Sequence, residues 1–85
     1  MKVIFSKSAA RILNKLDRRI QKRIINKPHF YLKQENPLHF AEPLEDRRLG
    51  EYRFRIGDYR ALLDIENQKI IILKVGHRKE IYKDC

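Results

Sequence analysis

The chain has 85 residues, enough for one domain with a modest core and too few for two, because small domains bury a smaller fraction of their surface than large ones. Lys and Arg number 20 against 11 Asp and Glu, a formal net charge of +9, the balance of a protein that meets a polyanion such as nucleic acid or an acidic protein segment. The opening MKVIF is too brief for a signal peptide, no stretch approaches the roughly 20 apolar residues of a membrane span, and the only cysteine, Cys85, is terminal, so a cytoplasmic protein without membrane contact, intramolecular disulfide or zinc cluster is expected.

KVIF, residues 2–5, has the run of a short apolar strand, and Ser6 then offers an N-cap hydroxyl for a helix beginning at Lys7. Ala9, Ile12, Leu13 and Leu16 fall at i, i+3, i+4 and i+7, one apolar stripe for the core. Asp17 caps a second helix in which Ile20, Ile24 and Tyr31 share a stripe, while Arg18, Arg19, Lys22, Arg23 and Lys27 occupy much of the remainder. Pro28 is expected to kink or split this helix near Asn26. The two helices form a hairpin, ENPL (35–38) ends the helical pattern, and the connector 39–50 has room for a short strand. From Glu51 the period changes to two, giving strands near 51–56, 59–66 and 69–76, with Gly57-Asp58 and Asn67-Gln68 as turns and a short helix closing the chain.

Counting across these turns assigns faces. A two-residue turn at Gly57-Asp58 sets Ile56 opposite Tyr59 and Arg55 opposite Arg60, so Arg53, Arg55 and Arg60 share a face. The count through Asn67-Gln68 sets Arg60 opposite Val75 and adds Leu62, Asp64, Ile71 and Leu73 to that face, with His77 following in parity. Tyr52, Phe54, Ile56, Tyr59, Ala61, Leu63, Ile65, Ile70 and Ile72 form the other face, which the helices should cover. Like charges directly across two strands destabilise a sheet unless an anion or a partner occupies them, so the arginine face is a candidate site and loss of Arg60 is expected to stabilise the free protein.

The element order, together with LGEYRFRIGDYRALLDI (49–65) and VGHRKEIYK (75–83), resembles the RelE branch of the RelE/ParE toxin superfamily over essentially the whole chain. The resemblance implies an α+β fold: an N-terminal strand, a helical hairpin, then an antiparallel sheet of three or four strands with the helices packed on one face. It further implies a toxin that enters the ribosomal A site and cleaves messenger RNA there, neutralised by a cognate antitoxin that wraps around it. Operator DNA would then be met only through the toxin-antitoxin complex.

Attack of a ribose 2′-OH on the adjacent phosphate needs a base for that hydroxyl, cations for the charge growing on the phosphate oxygens, and an acid for the leaving 5′-oxygen. By position in the motif, Arg53, Arg55, Arg60 and Arg78 match the basic residues of RelE-like nucleases, and Tyr82 matches their C-terminal tyrosine. RelE has lysines where this chain has Arg53 and Arg55, and arginine keeps its proton at any usable pH, so neither is a general base. Glu42, at a position resembling the catalytic glutamate of YoeB-type relatives, and His77, whose ordinary pKa lies nearest neutrality, are the candidates for that role. Tyr82 stacks on a base or anchors the tail against the sheet. The helix cations, Lys22 and Arg23 among them, form a solvated face that also attracts ribosomal RNA. His29, His39 and His77 show no metal-ligand spacing, and no cofactor is expected. Two other readings stay open: a ParE-like inhibitor of DNA gyrase that acts by binding, and a toxin remnant that binds RNA without cutting it.

Overall fold

The computed structural model describes residues 2–83; Cys85 lies outside the described residues. KVIF forms β1 (Lys2–Phe5), followed by α1 (Lys7–Asn14) and α2 (Arg18–Leu32). Ser6 Oγ accepts the Ala9 N–H at 3.1 Å and Asp17 Oδ1 accepts that of Arg19 at 2.8 Å. Each helix therefore begins where a side chain satisfies an amide that the first turn leaves without a partner.

Pro28 does not divide α2, contrary to expectation. It has no N–H to give the Ile24 carbonyl, yet the helix continues to Leu32. Pro28 falls on the same stripe as Ile24 and Tyr31, and all three are buried. Packing of that stripe against the sheet holds the helix through the missing bond.

A 3-10 helix (Pro37–Phe40) leads to β2 (Ala41–Pro43), and β3 (Tyr52–Ile56), β4 (Tyr59–Glu66) and β5 (Lys69–His77) follow. The sheet has five strands in the order β1-β5-β4-β3-β2. It is mixed rather than wholly antiparallel: β1 runs parallel to β5, from Lys2 opposite Lys69 to Phe5 opposite Ile72. The helical hairpin carries the chain away from β1, and β1 pairs along the edge of β5 that β4 leaves open. Both tight turns fall where expected. Gly57 has φ +61°, and Asn67 and Gln68 have φ +50° and +62°, the left-handed conformations whose twist suits two-residue hairpins. The expected C-terminal helix is instead a series of turns over 78–83, with the Ile81 N–H bonded to the His77 carbonyl at 3.0 Å.

One face of the sheet meets the helices. Phe54, Ile56, Ala61, Leu63, Ile70 and Ile72 are buried there with Ala9, Leu13, Ile24 and Tyr31, as the period-two count predicts. Val75 joins them, against prediction. Leu62 pairs with Lys74 while Leu63 pairs with Ile72, so Leu73 is an extra residue without an opposite number. This bulge reverses the parity of everything after it: Ala61 faces Val75, Arg60 faces Gly76, and Tyr59 faces His77. On the second face a smaller cluster of Leu44, Leu62 and Ile81, with Leu49 and Tyr82 against it, is formed by the C-terminal turns folding back over β4 and β5. Leu62 and Val75, expected as exposed apolar neighbours of the arginines, are both buried. Among the described residues no helix is long and apolar enough to cross a membrane.

Candidate functional site

The site is built on the second face, where β2 and β3 lie side by side. Glu42 pairs with Arg53 across the two strands and Arg55 follows two residues along, so one carboxylate and two guanidinium groups emerge together. Glu42 Oε2 accepts from Arg53 Nη2 at 3.1 Å, and Glu42 Oε1 lies 3.7 Å from Arg55 Nε. The hydrogen bond from Arg53 holds the Glu42 carboxyl below its ordinary pKa, with the charges of Arg53, Arg55 and Arg60 adding to the effect. The Glu42 side chain is 41% exposed, but Oε1 itself is shielded from water and accepts no hydrogen bond from the described residues, and the shielded Nε of Arg53 donates none to them.

Tyr82 closes the other side. The C-terminal turns bring its hydroxyl to Arg53 Nη1, which donates to it at 3.0 Å. The phenol oxygen is thus the acceptor, and its own proton remains available to a third group. Arg53 carries both contacts at once, and the hydrogen bonds from it to Tyr82 and to Glu42 raise its affinity for its proton still further.

Arg60 is opposite Arg55 as counted, but the pair is splayed. Arg55 is largely exposed and leans toward Glu42. Arg60 is only 8% exposed, and its Nη1 donates to the Gly57 and Tyr59 carbonyls at 2.8 Å each. The expectation of an unrelieved like-charge pair therefore fails, because backbone carbonyls of the turn take one cation and a carboxylate attends the other. Arg78 meets the same turn: its N–H donates to the Asp58 carbonyl at 2.7 Å and its Nε lies 3.6 Å from Asp58 Oδ1. Arg23 reaches it from α2, with Nη1 3.8 Å from where a methyl on Gly57 would stand. The β3–β4 turn thus gathers Arg23, Arg60 and Arg78, and of these Arg60 is near enough for its charge to act on Glu42.

His77 is not brought to this face. The bulge turns it toward the helices, where its ring meets that of Tyr59 edge-on at 5.4 Å and its Nδ1 accepts the Lys79 N–H at 3.1 Å. Lys22 belongs to a separate groove on α2, with Arg23, Asn26, Lys27 and the half-exposed Phe30. Lys27 Nζ is 5.4 Å from the centre of the Phe30 ring, so the groove presents an aromatic face among cations.

Lys74 escaped the sequence reading. It takes the place beside the arginines that Leu73 was expected to fill, and its Nζ donates to the Ile81 carbonyl at 3.0 Å. In IIILKV five apolar residues surround one lysine, so alternation gives no clue to the bulge. Phe30 escaped the sequence reading too, although its helical spacing from Arg23 and Asn26 was a signal that could have found it. Among the described residues no group of three or more His, Cys, Asp or Glu is arranged to hold a metal ion.

This sequence and this fold have counterparts. Residues 3–82 match the family model described as the ParE toxin of type II toxin-antitoxin systems, parDE. The chain is 36% identical over 83 residues to Toxin RelG of Mycobacterium tuberculosis, an alignment covering 95% of this chain and 94% of the relative. Its fold matches a chain in the crystal structure of the M. tuberculosis toxin-antitoxin complex RelBE2 with a TM-score of 0.77 and 34% identity, over 91% of this chain and 96% of that one. The RelB-RelE antitoxin-toxin complex of Methanococcus jannaschii gives a TM-score of 0.71 and 26% identity, over 94% and 95%. A match along almost the whole chain in sequence and in fold, including the helical hairpin on one face of a five-stranded sheet, makes this protein a member of the RelE/ParE toxin superfamily, the toxin of a type II toxin-antitoxin system.

Proposed function

We propose that this toxin is a ribosome-dependent endoribonuclease that cleaves messenger RNA in the A site without a metal ion. The observation that carries the reading is the Glu42 carboxylate lying between Arg53 and Arg55, with the Tyr82 hydroxyl on the same Arg53 guanidinium. Two guanidinium groups that hold a carboxylate also suit a phosphate, which offers the same paired oxygens and more charge. A backbone phosphate entering there takes over the arginines and releases Glu42 beside the sugar. Glu42, ionised throughout the neutral range, then accepts the proton of the 2′-OH. The 2′-oxygen forms its bond to phosphorus, Arg53, Arg55 and the nearby Arg60 stabilise the charge on the non-bridging oxygens, and the P–O5′ bond breaks. Tyr82 gives its proton to the 5′-oxygen, leaving a 2′,3′-cyclic phosphate and a 5′-hydroxyl. Arg78 and Arg23 supply cations at the β3–β4 turn for the RNA backbone, and Lys22, in its separate groove on α2, adds to the field that attracts ribosomal RNA.

The neutralising partner is an antitoxin with an acidic, amphipathic segment that covers this face, as befits a chain of net charge +9 whose solved relatives are toxin-antitoxin complexes. Operator DNA is reached through that complex. Primer extension on cellular messages after brief induction tests the reading: cuts within codons of translated regions are expected, and intact messages in growth-arrested cells would refute it. The ParE family match favours one alternative, inhibition of DNA gyrase by binding; loss of supercoiling activity by purified gyrase, with messages uncut, would select it.

A further inference from the structure

The strand register sets four residues in one row across the second face: Glu42 opposite Arg53, Arg53 opposite Leu62, and Leu62 opposite Lys74. The two cations of the row, Arg53 and Lys74, are two strand spacings or about 10 Å apart, with the buried Leu62 between them. The C-terminal turns cross this row. Ile81 packs with Leu62 and Leu44, and its Cβ lies 3.5 Å from where a methyl on Gly76 would stand. Lys74 Nζ donates to the Ile81 carbonyl at 3.0 Å, and the next residue, Tyr82, accepts Arg53 Nη1 on its hydroxyl at 3.0 Å. Two consecutive residues of the turn are thus held by the two cations of one row, the first through the main chain and the second through the tip of its side chain. Ile81 is only 1% exposed, so its carbonyl is shielded from water, and among the described residues Lys74 is its donor. A shielded main-chain acceptor that loses its donor is costly, so the turn depends on the lysine for its place.

We propose that Lys74 is a positioning residue for cleavage: by holding the Ile81 carbonyl it fixes the C-terminal turn where the Tyr82 hydroxyl meets Arg53 and can give its proton to the 5′-oxygen. The proposal rests on the cleavage reading above and adds what keeps the acid in reach. The bulge at Leu73 delivers the lysine. In unbroken alternation Leu73 would stand opposite Leu62, and a leucine has nothing to donate to the carbonyl; the extra residue brings an ammonium group there instead. A donor that carries charge makes the stronger bond to a shielded carbonyl. The acid needs this because proton transfer falls steeply with misplacement, by roughly 10²-fold for a shift of about 1 Å.

The test compares the parent toxin with Lys74→Met, which keeps the length and removes the donor, and Lys74→Arg, which keeps a charged donor. Lys74→Gln, polar and shorter, is run beside them so that the answer does not depend on how one variant folds. In the first arm the tyrosines are labelled with ¹³C at Cζ and followed by NMR, the Tyr82 signal being assigned by its loss in Tyr82→Phe, while Tyr31, Tyr52 and Tyr59 report on the rest of the fold. Lys74→Met and Lys74→Gln should move the Tyr82 signal toward that of free tyrosine, and Lys74→Arg should leave it near the parent position; a signal unmoved by loss of the donor overturns the proposal. In the second arm, single-turnover cleavage on programmed ribosomes is measured against toxin concentration. Lys74→Met should lower the maximal rate by roughly 10²-fold and leave the half-saturating concentration within about twofold, with most of the rate restored in Lys74→Arg. In the Tyr82→Phe background the same change should cost no more than about a further threefold, because the lysine acts through the hydroxyl that is already gone. An unchanged rate, an equal loss in both backgrounds, or a rise in the half-saturating concentration alone overturns the proposal, the last two making Lys74 one more contact to RNA. A parent that cuts no message refutes the cleavage reading, and the Tyr82 signal then decides the positioning by itself.

Discussion

Arg60 sits in two opposed fields, and their balance gives a prediction with a definite sign. Its Nη1 donates to the carbonyls of Gly57 and Tyr59, and the side chain is 8% exposed. Hydrogen bonds from a charged donor contribute about 1.5–3 kcal/mol net, and because both bonds share one nitrogen they count here as roughly one such interaction. Against this stands the cross-strand charge of Arg55, whose repulsion is on the order of 0.2–1 kcal/mol and is further reduced by the Glu42 carboxylate beside Arg55. The bonds win. Arg60→Gln, too short to span both carbonyls, should destabilise the isolated toxin by about 1–2 kcal/mol, a fall in melting temperature of roughly 4–16 °C for a domain of this size. Thermal unfolding by circular dichroism at low and high salt is the assay. The fall should persist at every salt concentration, because screening weakens the repulsion between Arg55 and Arg60 more than a shielded hydrogen bond. Arg55→Gln, exposed and paired among the described residues with Glu42, serves as control and should change stability by no more than about 0.5 kcal/mol. If Arg60→Gln melts above the parent at low salt and the gain fades as salt rises, the repulsion governs and the assignment of Arg60 to the turn carbonyls is wrong.

Three further outcomes follow from the site. Glu42→Gln should lower single-turnover cleavage on programmed ribosomes by roughly 10²-fold or more, and parental rates would remove Glu42 from the chemistry. The same variant bears on acid stability: because the folded state lowers the Glu42 pKa, the stabilisation is present above the ordinary value of 4.5 and is lost as pH falls from there through the lowered one. Parent and Glu42→Gln should therefore converge in stability below that window, and a constant difference down through it would contradict the pairing. Tyr82→Phe keeps the ring against the Leu44, Leu62 and Ile81 cluster but removes the proton, so cleavage should fall roughly 10²-fold with little change in melting temperature; unchanged cleavage would rule Tyr82 out as the acid. His77→Gln, altered on the helix face, should cleave within about threefold of the parent, and a loss of the size seen for Glu42→Gln would place the histidine in the reaction after all.

Much of the architecture was legible because local rules set it. Ser6 and Asp17 marked both helix starts, period-two alternation named the helix-facing side of β3 and β4, and Gly57-Asp58 fixed Arg55 opposite Arg60. Residue type excluded Arg53 and Arg55 as bases; the family resemblance then pointed to Glu42, and an ordinary pKa near neutrality to His77. Between those two the sequence had no means of choosing. A single extra residue at Leu73 turns His77 from the arginine face to the helix face, and in a run as apolar as IIILKV nothing local announces it, since either parity buries a comparable side chain. The same shift brings Lys74 to the arginines and Val75 into the core. Pro28 stayed helical because its ring is buried against the sheet, a tertiary gain that outweighs a local rule. Arg60 shows the limit most clearly: its position opposite Arg55 follows from turn length, but whether its charge met another charge or a pair of carbonyls depended on where a long, flexible side chain finds its bonds once the strands have folded.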